Sequence, residues 1–315
     1  MNIETIVNNI EIHLNSVLPK QQFKEVYLYG VLPPGKAFRP QLVSSIFADY
    51  NNSHDLDFLN NPKNEVNYLS SAVELHHAYT LLHDDLPCMD DDDIRRGKPA
   101  THKAFSEWKA LLAGDGLQTA SFALLSKYSG KNLSIMLKFF SWALGPKGLI
   151  QGQFLDLSEE MTKSFESLIL THQLKTARLI QTSLLLGYWS SSHAENRENI
   201  YETSKTLFKL GHAIGIVFQL LDDLTELVDD ELSSHESAVN PWLGKFGKNC
   251  FESLVTNLSI IDTTLNKEEL TTTKSVLKNY FKKIETMVVS GKTNIERHSN
   301  NNLMPIVSLL ERINT

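Results

Sequence analysis

Tyr68-Leu69-Ser70-Ser71-Ala72-Val73-Glu74-Leu75-His76-His77-Ala78-Tyr79-Thr80-Leu81-Leu82 runs without a break into His83-Asp84-Asp85-Leu86-Pro87-Cys88-Met89-Asp90-Asp91-Asp92-Asp93. In the first half Leu69, Ala72, Val73, Tyr79 and Leu82 recur at three- and four-residue steps, the period of a helix. The second half places six aspartates in ten positions, 84–93. Like charges this close repel, and the C-terminal end of a helix is the unfavourable end for them. A divalent cation with a preference for hard oxygen ligands would offset that cost. Magnesium in particular keeps waters and shares carboxylates with substrate phosphates. Pro87 interrupts the helix, so Asp84 and Asp90 can turn toward one pocket despite their six-residue separation. An acid run alone is more often a solvated loop that closes a helix. The next residues, Ile94-Arg95-Arg96-Gly97-Lys98-Pro99, alter that balance. Arginine presents a planar fork suited to phosphate oxygens, so acids for a metal stand beside cations for a phosphate. The plainer alternative is that Arg95 and Arg96 pair with the neighbouring aspartates.

A second acid cluster, Phe218-Gln219-Leu220-Leu221-Asp222-Asp223-Leu224-Thr225-Glu226, ends another apolar periodic segment built on Leu207, Leu210, Ile214, Val217 and Leu221. Asp222 and Glu226 are four apart and share a helix face. Alone this is a weak signal, because surface acids at that spacing are common. Two acid pairs, each closing an apolar helix, are more informative: facing each other across a cavity they would hold a metal cluster. Outside these motifs the punctuation suits long helices. There is no proline between Pro146 and Pro241, and 249–304 contains no proline and one glycine, Gly291. Polar stretches at 51–64 and 229–240 read as loops, and strand-like alternation flanked by tight-turn pairs is absent. The expectation is an all-α protein of about ten or more helices forming one domain over 1–315.

Composition narrows the function classes. Hydrophobic residues make up 42% of 315, enough for a large core. The formal charge is −7 and no basic tract is present, which argues against a nucleic-acid partner. Two cysteines, Cys88 and Cys250, suggest neither a disulfide framework nor a zinc site and fit a reducing compartment. The N-terminus lacks a basic stretch followed by an apolar one, and no apolar run is long enough to span a bilayer. A cytoplasmic protein without stable membrane insertion is expected.

With these residues in view, the chain resembles the trans-isoprenyl diphosphate synthase (polyprenyl synthetase) family, in the form found in bacterial farnesyl diphosphate synthases. Residues 79–97 match the family's first aspartate-rich motif, with four residues between the aspartate pair and the last aspartate. Ala113-Gly114-Asp115-Gly116-Leu117-Gln118 continues it. Gly152-Gln153-Phe154-Leu155-Asp156-Leu157 and Lys175-Thr176-Ala177 resemble the next two blocks, and Asp222-Asp223-Leu224-Thr225-Glu226 stands at the second aspartate-rich motif. Gly35-Lys36-Ala37-Phe38-Arg39-Pro40 resembles the N-terminal block. The match runs through roughly Gly30 to Glu226.

The resemblance implies a single helical domain of the isoprenoid synthase type with a central cavity, assembled as a homodimer. It implies a magnesium-dependent prenyltransferase that joins isopentenyl diphosphate to dimethylallyl or geranyl diphosphate and yields farnesyl diphosphate. Position by position, it assigns Asp84, Asp90 and Asp222 to magnesium, three ions in all. It assigns Arg95 and Lys175 to the allylic diphosphate, and Lys36, Arg39, His77 and Arg96 to isopentenyl diphosphate. Thr176 and Gln219 would line the allylic cation. Tyr79 and Thr80, five and four positions before Asp84, would form the floor that sets product length. Without the family blocks each single assignment would favour a plainer role: a surface cation for Lys36, Arg39 or Lys175, a bonded core histidine for His77, ordinary core for Tyr79.

Three departures stand out. Pro34 and Ala37 replace a glycine and an arginine of the N-terminal block, and Glu226 replaces the last aspartate of the second motif. The region Glu236-Ser237-Ala238-Val239-Asn240-Pro241-Trp242-Leu243 lacks the family's lysine for the allylic diphosphate, leaving Lys245 or Lys248 as substitutes. Two alternatives follow: a degenerate relative with a non-catalytic or regulatory role, and a class I terpene cyclase. A cyclase would carry Ser or Thr where Glu226 stands and would have no use for Lys36, Arg39 and Arg96. A synthase stopping at geranyl or geranylgeranyl diphosphate is the nearest variant of the main expectation.

Overall fold

Side-chain caps start several of the helices: Asn2 accepts from the Glu4 amide (2.9 Å), Asn64 from Val66 (3.3 Å) and Ser164 from Ser167 (3.1 Å). The computed structural model describes residues 1–53, 55–195, 200–232 and 240–314. In chain order the helices are α1 (Ile3–Val17), α2 (Lys24–Val31), α3 (Phe38–Asn51), α4 (Glu65–Asp84), α5 (Thr101–Ala104), α6 (Glu107–Leu125), α7 (Leu133–Leu144), α8 (Leu149–Leu157), α9 (Phe165–His172), α10 (Arg178–Trp189), α11 (Ile200–Thr225), α12 (Gly247–Lys267), α13 (Thr271–Ser290), α14 (Lys292–Ser299) and α15 (Met304–Asn314). The fold is all-α, as the periodicity implied.

The strands among the described residues form one hairpin, β1 (Ile94–Arg95) paired antiparallel with β2 (Lys98–Pro99). Its two turn residues, Arg96 and Gly97, both have positive φ, +55° and +76°. That is the turn whose twist suits a two-residue hairpin. Its sequence carries no alternation, so periodicity did not disclose it. Of the stretch at 51–64, Asn51 ends α3 and Asp57–Asn60 form a short 3-10 turn. Of the stretch at 229–240, residues 233–239 lie outside the described residues.

The chain packs as two compact units, Met1–Phe139 with Ser183–Ile200, and Phe140–Thr182 with Tyr201–Thr315. In the first, α4 is the hub. It packs against α1, α2, α3 and α6, and most of its residues are buried. Such a helix carries little amphipathic contrast, and its polar members find partners instead. His13 of α1 bonds Ser71 of α4 through Nδ1 (2.7 Å) and the Pro62 carbonyl through Nε2 (2.7 Å). The later segment is tied in by the Trp189 carbonyl, which accepts from Asn132 (2.8 Å) and Tyr128 (3.2 Å).

In the second unit, α9 continues into α10 through a five-residue π turn, Gln173–Ala177. Gly215 of α11 lies against Ala177, where a Cβ would meet the alanine Cβ at 2.3 Å. This close approach sets α11 directly on the π turn. The C-terminal helices complete the unit, with α15 packed on α12 and α13, and Tyr280 of α13 stacked on Phe218 of α11 (5.0 Å, 13°). Among the described residues no helix is long and apolar enough to cross a membrane.

Candidate active site

The first acid motif begins where α4 stops. Leu86, Met89 and Asp91 close tight backbone turns after Asp84, and the Asp90 amide reaches back to the Asp84 carbonyl at 2.9 Å. Backbone groups six residues apart in sequence are thereby joined. Asp91 takes a positive φ of +52° to complete the reversal. The other acids of the run divide among nearby cations. Asp85, buried, accepts from Arg95 Nε at 2.7 Å; Asp92 also binds Arg95; Asp93 pairs with Lys103 at 2.7 Å. Burial pushes the Asp85 carboxyl up, against the pull of Arg95. For Arg95 burial works against the charged form, but Asp85, Asp92 and Asp84 outweigh it and the pKa is raised. The plainer reading of Arg95, pairing with neighbouring aspartates, therefore describes its contacts in this structure.

Four of the five half-exposed positions at the end of α4 fall in a stripe, His77, Thr80, Leu81 and Asp84, three, four and seven residues from the first; His83 is the fifth and lies off it. Tyr79 is not on it. Its buried ring packs edge-on between His76 (4.6 Å) and His83 (5.5 Å), toward α6, where Gln118 bonds its hydroxyl. Burial pushes that hydroxyl up to about 12. Sequence reasoning set Tyr79 and Thr80 together over one turn, whereas the structure puts Thr80 on the open stripe and Tyr79 behind it. His77 meets Arg39 of α3, with Nη1 to Nε2 at 3.1 Å. Burial, then Arg39 and Arg96, hold the His77 imidazole neutral, well below its usual range, so Nε2 accepts. Arg96 donates through Nη1 to the carbonyls of Val31 (2.9 Å) and Pro33 (3.1 Å) and through Nη2 to Glu74 (3.1 Å). Lys36 is exposed, just before α3.

In the second unit the π turn carries Lys175 and Thr176. A π turn inserts a residue into the helix and frees backbone polar groups, and such turns recur at functional sites. Lys175 forms an ion pair with Asp156 of α8. Thr176 donates to Gln219 Oε1 of α11 at 2.9 Å. Gln219, Asp222, Asp223 and Glu226 share one face at the end of α11, with Asp222 and Glu226 exposed. Asn240 clamps that end, donating to the Asp223 carbonyl (2.7 Å) and to Glu226 (3.0 Å), while Trp242 donates to the Leu220 carbonyl (3.0 Å). Burial, then Glu226 and Asp222, push the Asp223 carboxyl up to about 8, and burial pushes His172, 3.9 Å away, down to about 4. Both shifts favour the uncharged forms at neutral pH.

Of the region 236–243, where the family lysine is missing, residues 236–239 lie outside the described residues. Of its two possible substitutes, Lys245 rests on the Lys163 carbonyl (3.4 Å) and over the Phe246 ring (4.8 Å), and Lys248 pairs with Glu252 (3.7 Å). Sequence reasoning passed over Glu74 and Asp156. Both had a signal in spacing: Glu74 is one turn before His77, and Asp156 is one turn after Gly152, which packs on the Lys175 amide.

Among the described residues no three of His, Cys, Asp and Glu converge as a ready-made metal cage. The donor set still suits magnesium, since Asp84 and Asp90 carry hard carboxylate donors on residues joined by a backbone hydrogen bond, and magnesium ordinarily completes its shell with water and phosphate oxygen.

The sequence profile of the polyprenyl synthetase family matches residues 20–241. Farnesyl diphosphate synthase of Bacillus subtilis is 35% identical over 235 residues, 72% of this chain and 74% of that one. Geranylgeranyl diphosphate synthase of Pantoea ananas is 33% identical over 238 residues, again 72% and 74%. Among solved structures, a geranyltransferase from Helicobacter pylori complexed with magnesium and isoprenyl diphosphate superposes with a TM-score of 0.71 at 28% identity, over 88% of this chain and 96% of that one.

Proposed function

Because this chain belongs to the polyprenyl synthetase family, we propose that it is a magnesium-dependent trans-prenyltransferase that condenses isopentenyl diphosphate with dimethylallyl and geranyl diphosphate and releases farnesyl diphosphate. The observation that carries this reading is the closure of Asp84 onto Asp90 beside Arg95, on a chain whose matched family blocks continue through Lys175, Thr176 and Asp222.

The reaction breaks the allylic carbon–oxygen bond, joins the resulting cation to the terminal carbon of isopentenyl diphosphate, and loses a proton to restore the double bond. Bound magnesium, three ions held through Asp84, Asp90 and Asp222, would neutralise the charge that develops on the leaving diphosphate. Arg95 and Lys175 bind the same diphosphate, exchanging their present carboxylate partners Asp85, Asp92 and Asp156 for phosphate oxygens. Thr176 and Gln219, already bonded to each other, present oxygen to the cation without a nucleophile free to trap it. Lys36, Arg39, His77 and Arg96 hold isopentenyl diphosphate. No side chain need act as a strong base, since the departed diphosphate accepts the final proton. The carbon pocket must exclude water.

Thr80 on the open stripe of α4, with Tyr79 directly behind it, forms the floor that stops growth at fifteen carbons. The protein acts as a homodimer in the cytoplasm. Support for the dimer comes from α6, whose Trp108, Leu111 and Leu112 are exposed at one-, three- and four-residue spacings on one face. Support for a reducing compartment comes from Cys88 and Cys250, both free thiols.

The test is incubation of pure protein with magnesium, labelled isopentenyl diphosphate and each allylic primer, followed by chromatography. Farnesyl diphosphate from either primer is expected. No elongation with any primer would favour a non-catalytic relative, and a cyclic hydrocarbon would favour a cyclase.

A further inference from the structure

The cluster assigned to isopentenyl diphosphate contains an anion of its own. Glu74 is 1% exposed and accepts from Arg96 at 3.1 Å. The charged and titratable groups around it come from three elements. Arg96 belongs to the hairpin, Arg39 to the first turn of α3, and His76 and His77 to α4 itself. Lys98 stands beyond Arg96 on β2, with Nζ on the carbonyls of Tyr29 (2.6 Å) and Leu32 (2.7 Å). His77 is held neutral by burial, Arg39 and Arg96, and burial holds His76 neutral near 3. Glu74 is therefore an anion that offsets the charge of the two arginines.

A carboxylate in this place opposes the binding of a diphosphate, so its use must lie before the substrate arrives. Two guanidiniums brought together repel, and each needs an acceptor if its fork is to point one way. Glu74 supplies one for Arg96 and attracts Arg39. Resting on the assignment of Arg39, His77 and Arg96 made above, we infer that Glu74 is a placeholder anion. It positions the two guanidiniums until isopentenyl diphosphate binds, then yields them to the diphosphate by taking up a proton.

The electrostatics agree with this exchange. Burial pushes the Glu74 carboxyl up to about 7, and it is held from rising further by Arg96 and Arg39. A diphosphate that engages those arginines removes the downward pull and adds like charge, so the carboxyl rises on binding. The protonated form then binds better. Above about pH 7 binding must take up a proton at Glu74, and affinity falls by up to about tenfold per pH unit from this group alone.

The experiment is calorimetric titration of the full chain with isopentenyl diphosphate in magnesium-free solution, between about pH 6 and 8.5, in buffers of different ionisation heat. Wild type and Glu74→Gln are compared, because Gln keeps an acceptor oxygen for Arg96 and lacks the charge. Wild type is expected to take up more protons than the variant near pH 8. The variant is expected to bind at least about threefold more tightly at pH 8.5, with a shallower dependence on pH. Equal proton uptake with parallel affinity curves, or weaker binding by the variant at pH 8.5, would overturn the inference. Should the variant fail to fold, wild type alone decides, since its uptake must exceed what the ligand's own titration accounts for. Binding without that excess removes only the role of Glu74. No binding of isopentenyl diphosphate removes the proposed function as well.

Discussion

Asp84 and Asp90 become neighbours through one backbone hydrogen bond, and that bond is independent of their side chains. Asp84→Ala should therefore leave the turn intact while removing a magnesium ligand. The expected loss is about 100-fold or more in kcat, several kcal/mol of transition-state charge stabilisation, with little change in melting temperature. Asp222→Ala should behave alike, and excess chelator should silence the wild type. Near-normal turnover in either variant would reject the metal assignment. A second prediction concerns Tyr79, wedged between His76, His83 and Gln118 behind Thr80. Tyr79→Ala opens space beneath the stripe that carries Asp84, so product should shift from fifteen toward twenty carbons. The void should also cost about 3–5 kcal/mol of stability, as for other buried aromatics. An unchanged product from folded variant would move the gate to Thr80. At this scale the sequence disclosed residue types and spacing but not present partners. Arg95 and Lys175 read as phosphate ligands, yet both rest on carboxylates, because part-buried cations in a lone chain pair with the nearest carboxylates. Glu74 was overlooked because a carboxylate reads as out of place among cations.

The π turn at Gln173–Ala177 is the element that the sequence concealed most fully. The proline-free run between Pro146 and Pro241 suits long helices, and no residue type within it announces an inserted position. What fixes it is packing from both sides: Gly152 of α8 against the Lys175 amide, and Gly215 of α11 against Ala177. A Cβ on Gly152 would lie 2.2 Å from the Lys175 nitrogen, a backbone atom that cannot swing aside. Gly152→Ala should force α8 away from the turn, costing about 1–3 kcal/mol, a few degrees of melting temperature. Because Lys175 and Thr176 ride on the turn, the variant should also lose at least about tenfold in kcat while its affinity for isopentenyl diphosphate changes little. A variant with unaltered melting and turnover would show that the turn does not need this contact. The hairpin at residues 94–99 escaped notice for a simpler reason. With two residues per strand it has no period to detect, and its signal is the Arg96-Gly97 pair at positive φ.

For the molecule as a whole, the all-α fold was legible because sparse proline and repeated three- and four-residue spacing act along the entire chain. The partition into two units was not, because neither unit is a continuous stretch of sequence. We propose that they nevertheless form one domain, since neither can complete its core until the chain has crossed between them. Calorimetry should then show a single cooperative transition, and two resolved transitions would count against it. The proposed dimer rests on what α6 leaves uncovered. Trp108, Leu111 and Leu112 are 59%, 44% and 48% exposed on one helix, a concentration of large apolar surface that a lone monomer in water rarely keeps. A two-fold partner presenting the same face would cover it, because an isologous interface needs a surface complementary to itself. Light scattering should give about twice the chain mass of 35.6 kDa. Leu111→Asp combined with Leu112→Asp should give a monomer that keeps its helical signal, since both side chains already face outward. A wild-type monomer mass would refute the dimer, and a double variant that remains dimeric would move the interface to another face.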